Sequence, residues 1–232
     1  MAKSPKKQNF LQGAALLAMS VAIVKVIGAI YKIPLRAIIG DVGFSYFNTA
    51  YDIYTLLLTI STAGLPIAMS RMISQAYSLG QFNRVRQVYK VSKTLFLALG
   101  LVSALVMAIF CYPLAGVMKQ VDAWPTILCL APCSLLMGFL SAYRGFFQGQ
   151  GNMIPTSTSQ VLEAFFKLVV GLSAAFILMK LTNSLALAAA GAILGVTISC
   201  LISAVYLRFQ FRPAYKELAV SMEEVEVGII LP

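Results

Sequence analysis

Six ionisable side chains occupy positions that an apolar chain does not ordinarily give to charge: Lys25, Lys32, Arg36, Asp52, Glu163 and Lys167. The three basic residues near the start are spaced i, i+7 and i+11. At 100° per residue they fall within about 40° of one another, so on one continuous helix they form a single stripe. Lys25 lies deep in an apolar run, where an unpartnered ammonium costs several kcal/mol, so its stripe calls for a polar cavity rather than lipid. Glu163 and Lys167 are four apart, with the acid on the N-terminal side, the favourable order for an intrahelical pair. Asp52 is the acidic candidate to face Lys32 or Arg36. A positive cavity of this kind suits an anionic substrate. Two simpler readings stand beside it: Lys32 and Arg36 snorkelling to headgroups, and Glu163 with Lys167 as a purely structural salt bridge.

The elements that must hold these groups are membrane helices. Of 232 residues, 59% are hydrophobic and only 11% charged, against about 25% charged in a soluble protein. Residues 94–118, 123–143 and 181–207 contain no Lys, Arg, Asp or Glu. Each is long enough to cross a hydrocarbon core of about 30 Å as a helix. None alternates polar with apolar residues as a barrel strand must. The expected fold is therefore an all-α integral membrane protein with spans near residues 10–33, 46–76, 94–118, 124–146, 158–179 and 184–207. These form one lobe over residues 1–215, followed by a polar tail at 216–232 that could open a further segment. Pro34 should end or kink the first span, residues 40–43 (Gly-Asp-Val-Gly) read as a short connection, and Gly64 with Pro66 should bend the second. Residues 78–93, with Arg84, Arg86, Lys90 and Lys93 among Phe82, Val85 and Tyr89, suit a short interfacial helix. Tyr46, Tyr112 and Trp124 read as interface anchors.

Lys3, Lys6 and Lys7 precede an apolar stretch without a clean cleavage site, which fits a first span better than a signal peptide. With the N-terminus inside, the inner connections hold those three together with Arg71, Arg84, Arg86, Lys90, Lys93, Arg144, Arg208, Arg212 and Lys216, while the outer turns hold only Lys119 and Lys180. The positive-inside rule then places both termini in the cytoplasm.

Enzymatic chemistry has little to work with. There is no histidine and no Gly-rich phosphate loop ending in Lys-Ser/Thr. Cys111, Cys129, Cys133 and Cys200 have no ligand spacing and read as small buried hydrophobes. No metal, cofactor or nucleic-acid partner is expected, because topology accounts for the net charge of +10.

The runs KVIGAIYKIPLRAIIG (25–40), YFNTAYDIY (46–54) and AGLPIAMS (63–70) resemble the first two helices of the oligosaccharide-flippase family, in its stage V sporulation protein B branch. YRGFFQGQGNMIPT (143–156), followed by SQVLE (159–163), is similar to that family's connection between helices four and five. The resemblance covers roughly residues 10–215. The family sits in the multidrug/oligosaccharidyl-lipid/polysaccharide (MOP) exporter superfamily, with the lipid II flippase and MATE drug exporters. It implies two helical lobes around a cavity that opens alternately to each side of a bacterial plasma membrane. It also implies a lipid-linked saccharide whose pyrophosphate meets basic residues of the first helices. Lys25, Lys32 and Arg36 match that role; Asp52 and Glu163 carry over less directly. Such proteins have about twice as many helices, so the chain reads as the N-terminal lobe, a fragment or half of a split transporter, needing a second lobe as partner. A MATE-type drug/cation antiporter and an inactive or structural membrane protein are the alternatives. The first would want acidic rather than basic residues in the cavity.

Overall fold

The computed structural model describes residues 10–62 and 64–230, with side chains over 11–59 and 64–218. Lys3, Lys6 and Lys7 lie outside the described residues, and the side chains of Glu223, Glu224 and Glu226 lie outside the described set. Seven α-helices follow in order: α1 (Phe10–Thr62), α2 (Leu65–Ser78), α3 (Phe82–Ile109), α4 (Cys111–Val117), α5 (Trp124–Gly149), α6 (Ile154–Thr182) and α7 (Leu185–Ile230). A single 3-10 turn, Val121–Ala123, leads into α5.

Helix α1 is two rods. A straight helix of 53 residues would be about 80 Å long, far beyond any bilayer core. Gly40, at φ 67° and ψ −177°, breaks it with a backbone conformation that only glycine adopts readily. The rods fold back on each other. The rings of Tyr31 and Phe47 are 5.9 Å apart, whereas a straight helix would separate those residues by about 24 Å. The chain therefore turns at Gly40 and not at Pro34, which stays inside the first rod. Proline's fixed φ is helical, and the one hydrogen bond it removes is tolerated within a membrane bundle. At the other end of the second rod Gly64 (φ 74°) and Pro66 in the first turn of α2 divide α1 from α2.

Three other boundaries differ from the sequence expectation. No separate interfacial helix occupies residues 78–93: α2 ends at Ser78, and α3 runs unbroken from Phe82 to Ile109. Nothing in its first four turns breaks a helix, and Val85, Val88 and Tyr89 are buried there. The expected third span closes early, at Phe110, because Pro113 cannot donate to the carbonyl four residues back. The polar tail is not separate either, since α7 continues through it to Ile230 with Pro213 inside.

Among the described residues, five helices are long and apolar enough to cross a membrane, with α1 counted once. Counting its two rods separately gives the six-rod lobe. α5 and α7 form its interior, each 56% buried over its most apolar window, while α1 and α6 are only 11% and 17% buried and carry its outer faces. Interhelical contact in lipid depends on close packing and hydrogen bonds rather than on the hydrophobic effect. Thr197 Oγ1 accordingly donates to the Cys129 carbonyl (2.9 Å), and Ser203 Oγ to the Ser159 carbonyl (3.1 Å). Gly138 of α5 lets α3 approach so closely that a Cβ there would lie 2.6 Å from the Phe96 carbonyl oxygen. At one end an aromatic cluster ties three helices together: Phe211 of α7 lies 4.7 Å from Tyr89 of α3, and 4.9 and 5.1 Å from Phe146 and Tyr143 of α5.

Candidate functional site

Because α1 stays helical through Pro34, Lys25, Lys32 and Arg36 remain on one stripe, and all three side chains are exposed on the surface of the lobe. Among the described residues no carboxylate pairs with Lys25 or Lys32. Arg36 reaches across the Gly40 bend instead, its Nε donating to Asp41 Oδ1 at 2.5 Å. Asp52 therefore is not the partner of Arg36. It is exposed on the second rod, and its backbone carbonyl accepts from the Thr55 hydroxyl at 3.0 Å.

The second group lies where α1, α5 and α6 meet. Glu163 pairs with Arg144 of α5 (2.8 Å) rather than with Lys167 one turn along its own helix. The two side chains are 25% and 14% exposed, and Arg144 Nε also donates to Ser159 Oγ at 3.0 Å. The reason is geometric: α5 ends at Gly149 and α6 starts at Ile154, so this short turn brings Arg144 alongside the first turns of α6. The charge count places Arg144 in an inner connection; the signal for its role is its position after the apolar run 123–143 and before the glycine-rich turn.

Lys167, freed from Glu163, lies 5.6 Å from the ring centroids of both Tyr31 and Tyr51, one from each rod of α1. An ammonium shielded from water gains about 2 kcal/mol over such a ring face. Above it, Ser20 of α1 donates to Gln160 Oε1 of α6 at 3.2 Å. The six predicted residues thus divide. Lys25, Lys32 and Arg36 are exposed on the first rod of α1 and Asp52 on the second, while Glu163 and Lys167 belong to a shielded cluster. The shielded cluster of Arg144, Glu163 and Lys167 carries one positive charge more than negative. A cleft of about 430 Å³ lined by Tyr46, Asp122, Trp124, Ser184 and Leu187 opens at the far end of the lobe, where Tyr46 donates to Asp122 (3.3 Å), and contains none of the six.

Residues 10–226 match the family model described as polysaccharide biosynthesis protein. The chain belongs to this family. Among curated relatives, it is 31% identical over 205 residues to the uncharacterized membrane protein YabM of Bacillus subtilis, covering 88% of this chain and 38% of that one. From the same organism, lipid II flippase MurJ is 29% identical over 184 residues (75% and 34%), and stage V sporulation protein B 28% identical over 208 residues (89% and 40%). The chain thus spans little more than a third of the length of these relatives. Among solved structures, a mutant MATE protein superposes with a TM-score of 0.73 at 18% identity, over 93% of this chain and 48% of that one. A MOP superfamily transporter from Pyrococcus furiosus, whose binding pocket has reverse polarity, gives 0.67 at 19% identity over 88% and 46%. The fold of this family member is one lobe of the MOP architecture, and the chain is a multi-pass membrane protein.

Proposed function

We propose that the chain is one lobe of a transporter, not an enzyme, that exports or flips a lipid-linked saccharide precursor across a bacterial plasma membrane. Lys25 carries the reading. It is exposed, without a carboxylate partner among the described residues, and lies within a span of mean hydropathy 2.2. Lipid cannot solvate that ammonium cheaply, so the face it shares with Lys32 borders water between this lobe and a second one. Alternating access of the MOP kind works by rocking one lobe against the other. In this arrangement Lys25, Lys32 and Arg36 meet the phosphates of the anionic substrate while its lipid tail stays in the bilayer. Lys167 adds positive potential from the shielded cluster, and Asp52 is exposed on the second rod of α1. Resemblance to MurJ and stage V sporulation protein B supports the choice of a lipid-linked saccharide. Arg71, Arg84, Arg86 and Arg144 lie toward the end of the lobe where α2 and α5 finish and α3 begins, and Phe211 packs there on Tyr89 and Phe146, bringing Arg208 and Arg212 of α7 to the same end, which supports a cytoplasmic face there.

Liposomes carrying the chain with its second lobe should flip a fluorescent lipid-diphosphate saccharide. Lys25→Ala should slow that flipping at least about tenfold, the equivalent of roughly 1.4 kcal/mol, at unchanged expression. Lys25→Cys, in a background with the four native cysteines replaced by serine, should react with a water-soluble maleimide in intact membranes. A variant that flips at the parental rate, or a cysteine that resists labelling, would remove Lys25 from the site. Uptake of a cationic dye without flipping of the saccharide would favour the antiporter instead.

A further inference from the structure

Cys133 of α5 and Cys200 of α7 are both fully buried, 0% and 1% exposed, and their sulfurs lie 3.2 Å apart. The Cys133 thiol also points at the Tyr54 hydroxyl, 3.7 Å away. Two thiols need not meet in a bundle this size, and their meeting is held in register. One turn earlier along both helices, Thr197 Oγ1 donates to the Cys129 carbonyl at 2.9 Å. That bond fixes how α7 lies along α5, and it leaves Cys133 and Cys200 opposite each other. Closing the gap to a disulfide of about 2.05 Å takes a movement of only about 1.2 Å between the sulfurs.

We propose that Cys133 and Cys200 form a peroxide-sensitive dithiol that closes to a reversible disulfide between α5 and α7, the two interior helices of the lobe. The site is shielded, so the oxidant must be small and uncharged, and hydrogen peroxide, little larger than water, meets both needs. In the first step one cysteine sulfur attacks a peroxide oxygen. An S–O bond forms as the O–O bond breaks, and the thiol proton passes to the departing hydroxide, so that one water leaves and a sulfenic acid remains. In the second step the other sulfur attacks the oxidised one. The S–S bond forms as the S–O bond breaks, and the second thiol's proton goes to the leaving hydroxide, which departs as a second water. Two thiols and one peroxide thus give one disulfide and two waters, and the neighbouring thiol acts as the resolving group that spares the sulfenic acid further oxidation. The closed form fastens α5 to α7 within the lobe, whatever the cargo is, so this inference stands apart from the reading of Lys25.

The experiment is peroxide treatment of membranes containing the chain, followed by denaturation, alkylation of free thiols and peptide mass mapping. The expected product is a cross-linked peptide joining Cys133 to Cys200, two hydrogens lighter than the reduced pair and split by dithiothreitol, with Cys111 and Cys129 still alkylated. Cys200→Ser should abolish the cross-link and leave Cys133 as a sulfenic acid that a dimedone probe captures. The oxidised parent should melt several degrees above the reduced one, and the Cys200→Ser variant should show no such shift. Full alkylation of all four cysteines after a peroxide dose that oxidises an added small dithiol would overturn the proposal. So would a disulfide to Cys111 or Cys129, or a cross-link that survives in the Cys200→Ser variant.

Discussion

Gly195→Leu should prevent the lobe from assembling. Gly195 of α7 packs directly on Gly171 of α6, so that a Cβ on Gly195 would land on the Gly171 backbone. Neither side can yield by rotating a side chain, because both contacts are main chain. Gly171 is hemmed in on its own account, since a Cβ there would sit 2.9 Å from the Tyr31 hydroxyl and 3.1 Å from the Ala192 carbonyl. Overpacking of a core by added methylenes costs about 1–3 kcal/mol where side chains can adjust, and here helices α6 and α7 would have to separate. Tyr31, whose ring faces Lys167, also borders Gly171 at this contact, so separating α6 from α7 disturbs one wall of the shielded cluster. Fluorescence-detected size exclusion in detergent is the measurement: the variant should lose its monodisperse peak, and Gly195→Ala should lower the melting temperature. Gly28→Ala is the matched control, because a Cβ at Gly28 meets nothing within 4 Å. Replacing a helical glycine there should leave stability unchanged or raise it by about 0.5–1 kcal/mol.

This contact was not legible in the sequence, and the reason applies to most of what the sequence reading missed. Length, hydropathy and charge spacing are local properties, and they were enough to read membrane-spanning helices, the stripe of Lys25, Lys32 and Arg36 as one helical face, and the family motifs. What they cannot report is which helix lies against which. Glu163 and Lys167 share a face on α6, so the intrahelical pair was a sound local inference. Arg144 won Glu163 because a turn of four residues, 150–153, folds α5 back beside it, and because its guanidinium also finds Ser159. The first bend, by contrast, was legible locally: residues 40–43 read as a short connection, and the chain turns there because Gly40 supplies a positive φ, while Pro34 stays within the first rod instead of ending it. Cys133 and Cys200 read as separate small hydrophobes, 67 residues apart, until the packing of α5 on α7 brought their sulfurs together.

Arg144→Met should destabilise the lobe by up to about 3–5 kcal/mol, since it takes the direct partner from a largely buried Glu163 carboxylate and leaves only the more distant Lys167 ammonium. Glu163→Leu should cost a similar amount by stranding the guanidinium. The informative variant is the double one. When both members of a buried pair are replaced by apolar residues of similar volume, the desolvation of two ions is relieved together, and the result is commonly neutral or stabilising. Arg144→Met with Glu163→Leu should therefore recover a melting temperature close to the parent, which thermal unfolding in detergent would show. Its transport then separates the two roles that the sequence left open. A stable double variant that flips substrate at the parental rate makes the pair a brace between α5 and α6 and nothing more. A stable double variant that no longer flips makes Glu163 part of the cycle. The physical route in that case is through Lys167, one turn away on the same face of α6 and shielded by Tyr31 and Tyr51, because removing both Arg144 and Glu163 leaves its charge as the only one in that cluster. A double variant as unstable as either single one would show instead that the packing around Arg144, including its bond to Ser159, matters more than the charges.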